Sequence, residues 1–123
     1  MELFMRYPHD VQNEVLQRLL AKAKTTAWGE QYGYAKLQGP HDFAEQVPLS
    51  TYEDLFPWIQ RSMKGESSVL WPGEIRWFAK SSGTTNDRSK FIPVSEESLE
   101  ECHYKGGKNL LSIYCNNRPE TKI

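Results

Sequence analysis

The sequence lacks the features that mark membrane proteins, secreted proteins and nucleic-acid-binding proteins. No apolar run approaches the roughly 20 residues that a transmembrane helix needs, and residues 1–6 place an acid where a signal peptide carries positive charge. The formal net charge is only −1, with lysine and arginine spread along the chain, so nothing favours a nucleic-acid or anionic-membrane partner. We therefore expect a cytoplasmic protein with neither kind of partner.

Cysteine and histidine are also scarce. The two cysteines, Cys102 and Cys115, fall in one predicted helix, where their separation corresponds to roughly 20 Å at the helical rise. That distance is far beyond disulfide reach, which ends at about 7 Å between Cα atoms. The three histidines, His9, His41 and His103, show no metal-ligand spacing. Reduced, structural thiols and no metal ligand are the prediction.

The length and composition limit the chain to one domain at most. Of its 123 residues, 38% are hydrophobic and 25% are charged, which is within the range of globular proteins. A modest core is possible, but a two-domain enzyme is not.

Apolar spacing predicts three helices in the first half of the chain. The first covers residues 11–24, with Asp10 as its N-cap. Glycines make residues 28–34 an irregular stretch, and a short helix follows over residues 42–46.

The third helix should begin at a capping box, in which Ser50 is the cap and Glu53 lies three residues later. It runs to about Lys64 and closes at Gly65. Pro57 falls inside this pattern and is expected to kink or restart the helix.

A β-hairpin and a final helix are predicted for the second half of the chain. Alternation favours a strand over residues 74–80, with Ile75, Trp77 and Ala79 on one side. A loop over residues 81–90 leads to a second strand over residues 91–94. Ser95 then caps a helix that runs to about Cys115.

Two further clusters have ordinary structural interpretations. The aromatic residues near the hairpin are interpreted as core and strand packing, although a wall beside an adenine ring stays open: Trp71, Trp77, Phe78 and Phe91. The carboxylates of the last helix are interpreted as a solvated face with favourable helix-dipole contacts: Glu96, Glu97, Glu100 and Glu101.

The hairpin loop has the composition of a phosphate-binding loop. Polyphosphate binding needs converging backbone N–H groups, hydroxyl donors, a glycine where the backbone comes close, and a cation. The candidate nucleotide-binding residues are Ser81, Ser82, Gly83, Thr84, Thr85, Asn86, Arg88, Ser89 and Lys90. No catalytic residue is assigned. The loop is not a Walker motif, and a solvated hairpin turn is the alternative.

The loop resembles the nucleotide-phosphate motif of the adenylate-forming superfamily, which includes firefly luciferase and the acyl-CoA synthetases. Its form, one residue longer between Ser81 and Lys90, is similar to that of the auxin-responsive-promoter family of acyl-acid amido synthetases. Five further segments resemble segments of the same family and occur in the same order: Thr25-Thr26-Ala27-Trp28-Gly29, Val47-Pro48-Leu49-Ser50-Thr51-Tyr52-Glu53-Asp54-Leu55, Leu70-Trp71-Pro72-Gly73, Trp77-Phe78-Ala79-Lys80 and Lys90-Phe91-Ile92-Pro93.

The resemblance implies an α/β fold, α+β within this segment, in which residues 1–123 are a single incomplete domain. The resemblance implies that the segment is the N-terminal part of the large domain of a ligase, and that this ligase is of the bacterial type. The implied ligase uses ATP, with Mg²⁺ held through the nucleotide and through residues beyond this segment, and joins a small carboxylic acid to an amino acid. The segment alone is expected to be inactive.

The sequence departs from the family pattern at Asp87 and Ser89, where many relatives carry glycine and proline, so Asp87 is not a candidate phosphate contact. Two other classes of function stay open. One is a stand-alone nucleotide- or anion-binding module without catalysis, and the other is a small scaffold or interaction domain.

Overall fold

The computed structural model describes residues 5–82 and 89–121. Within them the chain is rich in helix and carries one small antiparallel sheet of two strands. The elements in chain order are α1 (Pro8–Ala23), α2 (Ala27–Gln31), a 3-10 turn (Tyr34–Lys36), α3 (Pro40–Gln46), α4 (Tyr52–Met63), β1 (Trp77–Lys80), β2 (Phe91–Val94), α5 (Glu96–Ser98), a π-helix (Leu99–Tyr104) and α6 (Lys105–Asn117). No helix in the described ranges is long and apolar enough to cross a membrane.

Two helices begin earlier than predicted, in both cases at a proline. Helix α1 starts at Pro8 and not at residue 11, and its N-cap is Tyr7, which makes no side-chain capping bond. Asp10, the predicted cap, lies in the first turn. Helix α3 likewise starts at Pro40. Proline favours the first helical position because its ring fixes a helical φ and the N–H it lacks has no partner there.

The stretch predicted to be irregular is instead the short helix α2 followed by the 3-10 turn. Thr26 caps α2 by accepting the N–H of Gly29 at 3.0 Å. Gly29 is not a helix breaker here. A Cβ at this position would lie 2.0 Å from the Ala23 carbonyl oxygen, so glycine is required by the close approach of two backbones.

The core forms where α2 meets the end of α1, helix α4 and the segment after α4. Trp28 donates its backbone N–H to the Val69 carbonyl at 3.0 Å and its indole N–H to the Tyr34 hydroxyl at 3.0 Å. Its ring packs edge-on against Trp58 of α4, with the centroids 5.2 Å apart. The buried apolar side chains are Leu20, Ala23, Trp28, Leu37, Ile59, Val69 and Ile75.

Helix α4 begins one residue later than predicted. The capping box consists of Thr51 and Asp54 and not of Ser50 and Glu53. Both pairs have the required spacing, so spacing could not choose between them. The Asp54 carboxylate accepts the Thr51 backbone N–H at 2.8 Å, while the Ser50 hydroxyl donates to the Pro48 carbonyl at 3.2 Å.

The rest of α4 confirms one expectation and corrects another. The helix ends at Met63, and Gly65 follows with a φ of 85°, as the predicted closure requires. The helix does not restart at Pro57 but continues through it; whether it kinks there stays a prediction. A proline removes one intrahelical hydrogen bond, while the burial of Ile59 two residues later stabilises the same helix by packing.

The hairpin has the predicted second strand but a shorter first strand. Strand β1 covers Trp77–Lys80 and pairs with β2 from Trp77↔Val94 to Lys80↔Phe91. Because β2 offers only four partners, residues 74–76 have none in the described sheet. The interpretation of Trp77 as a core residue is wrong, since Trp77 is 50% exposed.

The last helix is not a continuous α-helix. Ser95 caps it as predicted, accepting the Ser98 N–H at 3.1 Å, but six residues, Leu99–Tyr104, form π-helical turns before α6. Apolar spacing over so short a stretch cannot separate the α and π repeats. Lys22 of α1 forms an ion pair with Glu97, so this carboxylate is not merely solvated. Both cysteines are free.

We expect Gly29→Ala to destabilise the protein by about 1–3 kcal/mol, the usual cost of forced overpacking. Gly106→Ala is the matched control. Nothing lies within 4 Å of a Cβ at Gly106 in α6, so alanine there should be neutral or stabilising. Urea unfolding followed by tryptophan fluorescence measures both changes, and equal stability of the two variants would contradict the close approach.

Candidate functional site

The candidate loop leaves and re-enters the hairpin through one closed pair of residues. Ser81 donates its backbone N–H to the Lys90 carbonyl at 2.9 Å. In return, the Lys90 N–H is donated to the Ser81 side-chain oxygen at 3.0 Å. This pair extends the ladder one step beyond Lys80↔Phe91. The two ends of the loop are therefore held together by backbone and side chain.

The outer edge of β2 is covered by the first residue of α4. Phe91 donates its backbone N–H to the Tyr52 hydroxyl at 2.9 Å. Because Lys90 bonds toward β1, the next N–H along β2 points away from the sheet. An uncovered N–H of this kind would need water or another partner.

The same tyrosine contacts the side chain of Lys90. The Lys90 ammonium lies 5.4 Å from the centroid of the Tyr52 ring, within the range of a cation–π interaction. The ring of Phe56, one turn along α4, packs against the Tyr52 ring, with 5.6 Å between the two centroids. Tyr52 thus touches both the backbone and the cation at the start of β2.

The capping box fixes the turn that carries Tyr52. Hydrogen bonds from the Thr51 backbone and hydroxyl hold the pKa of the Asp54 carboxyl below its ordinary value. A carboxyl with a depressed pKa stabilises the fold above its unfolded pKa and loses that contribution as the pH falls through the folded value. The helix start is therefore secure at neutral pH and weakens only in acid.

The structure describes four of the nine predicted nucleotide-binding residues. Ser81, Ser89 and Lys90 are half-buried and Ser82 is exposed, and Ser81 and Lys90 are brought together as described above. The other five lie outside the described residues: Gly83, Thr84, Thr85, Asn86 and Arg88. Their role in binding stays a prediction.

No group of three or more histidine, cysteine, aspartate or glutamate side chains could hold a metal ion in the described parts of the chain. Of the predicted acidic cluster, Glu97 pairs with Lys22 and Glu101 pairs with Lys105. These contacts are ordinary ion pairs on the surface.

Tyr52 is the residue of this site that the sequence did not reveal. It belongs to a segment that resembles the family pattern, but its hydrogen-bond partner Phe91 lies 39 residues away along the chain. A tyrosine at a helix start has no local signature of such a contact. Only the packing of α4 against β2 shows it.

The fold and the site define a class: a helix-rich segment that presents a hydroxyl-rich hairpin loop. Comparison with known families makes this specific. Residues 1–123 match the model of the GH3 family N-terminal domain, and the chain belongs to the GH3 family.

Curated relatives of this chain are plant amido synthetases. A jasmonoyl–L-amino acid synthetase of Nicotiana attenuata is 34% identical over 91% of this chain and 22% of its own length. An indole-3-acetic acid-amido synthetase of Arabidopsis thaliana is 35% identical, with 80% of this chain and 18% of the relative covered. A rice jasmonoyl–L-amino acid synthetase is 31% identical, with 98% and 30% covered. The chain thus spans between about a fifth and a third of these relatives.

The closed pair predicts different roles for two neighbouring serines. Ser81→Ala removes the acceptor of the Lys90 N–H, so we expect the exchange of this amide with solvent to accelerate about fivefold, the equivalent of about 1 kcal/mol. Ser82→Ala, at an exposed position, should leave it unchanged. Amide hydrogen exchange followed by NMR measures both. An unchanged Lys90 amide in Ser81→Ala would contradict the pairing.

Proposed function

We propose that this chain is the N-terminal segment of an ATP-dependent acyl-acid amido synthetase and that its loop, residues 81–90, binds the nucleotide phosphates. One observation carries the proposal. In a member of the GH3 family, a loop rich in hydroxyl groups is closed at its base by the Ser81–Lys90 pair.

The proposed reaction has two steps. A carboxylate oxygen of the acid attacks the α-phosphorus of ATP, which forms an acyl-adenylate and releases pyrophosphate. The amine of an amino acid then attacks the acyl carbon, forming the amide bond and releasing AMP. The curated relatives are named as a jasmonoyl–L-amino acid synthetase and an indole-3-acetic acid-amido synthetase. For this chain we propose the broader class, a small carboxylic acid and an amino acid.

The role of this segment in the first step is to position charge. Hydroxyl and backbone donors would hold the β- and γ-phosphates, so that the α-phosphate faces the attacking carboxylate. Magnesium would be held through the nucleotide and through residues outside this chain. This first step needs no proton transfer, because the carboxylate attacks in its ionised form.

The geometry at the base of the loop suits this role. The Ser81 oxygen accepts the Lys90 N–H, so the hydroxyl hydrogen remains available to donate. Lys90 enters β2 directly after the loop, where its half-buried side chain can bring a positive charge to a polyphosphate. Burial strengthens such a contact relative to one in open water.

The extent of exposed surface supports a larger parent fold. The 14.3 kDa chain exposes 9858 Å², whereas a compact monomer of this mass exposes about 6800 Å². Apolar side chains of α6 are among the most exposed: Leu110, Leu111, Ile113 and Tyr114. Exposed apolar surface of this kind is typical of a face that packs on another part of a protein.

A stand-alone nucleotide- or anion-binding module is the second candidate. The Ser81–Lys90 pair would serve a module equally well, since it needs nothing beyond the described residues. The two proposals differ in what the 123-residue chain does by itself.

Lys90→Ala is expected to weaken ATP binding to the full-length synthetase by about 1–3 kcal/mol, the scale of a charge-assisted hydrogen bond. Lys36→Ala is the control, because Lys36 is an exposed lysine of the 3-10 turn. Calorimetric titration with ATP compares the two variants. Equal affinities would remove Lys90 from the phosphate site.

The 123-residue chain made alone is expected to show no ATP–pyrophosphate exchange with any of a panel of carboxylic acids. A phosphate-binding loop supplies only part of the transition-state stabilisation that adenylation needs. The full-length synthetase, assayed beside it, should show exchange. Micromolar ATP binding by the isolated chain without exchange would favour the stand-alone binding module. Robust exchange by the isolated chain would contradict the proposal that it is one segment of a larger synthetase.

A further inference from the structure

We propose that Tyr52 is a positioning residue for nucleotide binding, acting through Lys90. The proposal rests on the proposed function, in which Lys90 contacts the nucleotide phosphates. Tyr52 lies at the start of α4, and its contact with the described residues of the candidate loop is the one with Lys90.

The first step is the position of the strand. Phe91 is the first residue of β2, and its N–H is donated to the Tyr52 hydroxyl at 2.9 Å. This bond fixes the backbone next to Lys90 from the side opposite β1. The two Ser81 contacts fix the Lys90 backbone from the β1 side. The Lys90 backbone is therefore held between β1 and helix α4.

The second step is the direction of the side chain. A long, flexible lysine side chain loses rotamer entropy when it is ordered. The Tyr52 ring, 5.4 Å from the ammonium, favours the rotamers that lie over it. Part of the ordering is therefore complete before the nucleotide binds, so the bound state loses less entropy.

The third step is the rigidity of the support. Tyr52 is held by the Thr51–Asp54 capping box on one side and by the Phe56 ring on the other. Further along α4, Trp58 packs against the core residue Trp28. The tyrosine is therefore fixed to the core, which is what a positioning residue requires.

The alternative is that Tyr52 merely covers the edge of β2 and has no effect on nucleotide binding. Two variants separate the contributions. Tyr52→Phe keeps the ring over Lys90 and removes the hydroxyl, whereas Tyr52→Leu removes both. Tyr7→Phe is the control, since Tyr7 is an exposed tyrosine before α1, outside the apolar face of α6.

The experiment measures KM for ATP and kcat in ATP–pyrophosphate exchange by the full-length synthetase, with and without Lys90→Ala. We expect Tyr52→Leu to raise KM about five- to tenfold, Tyr52→Phe about twofold, and kcat to change less than twofold in either. This split is expected because a contact equal in ground and transition states alters KM alone. In the Lys90→Ala background, Tyr52→Leu should change KM less than twofold.

Amide exchange of Phe91 without nucleotide gives an independent readout. It should accelerate in Tyr52→Phe and not in Tyr7→Phe. Faster exchange of the Phe91 amide with an unchanged KM in the Tyr52 variants would overturn the positioning role, as would an equal rise of KM with and without Lys90. Tyr52 would then only cover the edge of β2. A Lys90→Ala variant with normal KM would instead contradict the proposed phosphate contact itself, whatever Tyr52 does.

Discussion

The packing of Trp28 is the interaction on which the rest of the described structure depends. Its backbone binds the segment after α4 through Val69, while its ring meets α4 at Trp58. This arrangement requires α2 to lie against the end of α1, so closely that Gly29 has no room for a side chain. A single aromatic residue thus brings together three parts of the chain that are distant in sequence.

The site depends on this core through helix α4. A two-stranded hairpin is only marginally stable in water without something to pack on, and here the first turn of α4 meets the start of β2. The direction of α4 is fixed at one end by the Trp28–Trp58 contact and at the other by its capping box. The position of the hairpin is therefore inherited from the core.

The sequence predicted the elements whose signals are local. The strand over residues 91–94, the Ser95 cap and the end of α4 before Gly65 each follow from a few neighbouring residues, and each is confirmed. Errors occurred where two local solutions were equally good, as with Ser50 and Thr51, or where a distant contact decided. Gly29 looked like a helix breaker because nothing in its neighbours announces the Ala23 carbonyl.

The candidate site divides in the same way. Ser81 and Lys90 could be named as candidates because hydroxyl groups, glycine and cations in one short loop are the groups that phosphate binding needs. That the Ser81 oxygen is an acceptor for the Lys90 backbone could not be found, since it depends on the register of two strands. Tyr52 could not be found either, because its contacts with Phe91 and Lys90 arise only when α4 packs on β2.

The two strands do not contribute equally to holding the loop. Strand β1 is mostly exposed, whereas three of the four residues of β2 are at least half-buried. Strand β2 is bounded by Tyr52 at its start and leads directly into the Ser95 cap, and the next turn is tied to α1 by the Lys22–Glu97 ion pair. The residue that enters β2 is therefore the better fixed end of the loop. Charge placed there, at Lys90, keeps its position most reliably, which is the property that a polyphosphate contact needs.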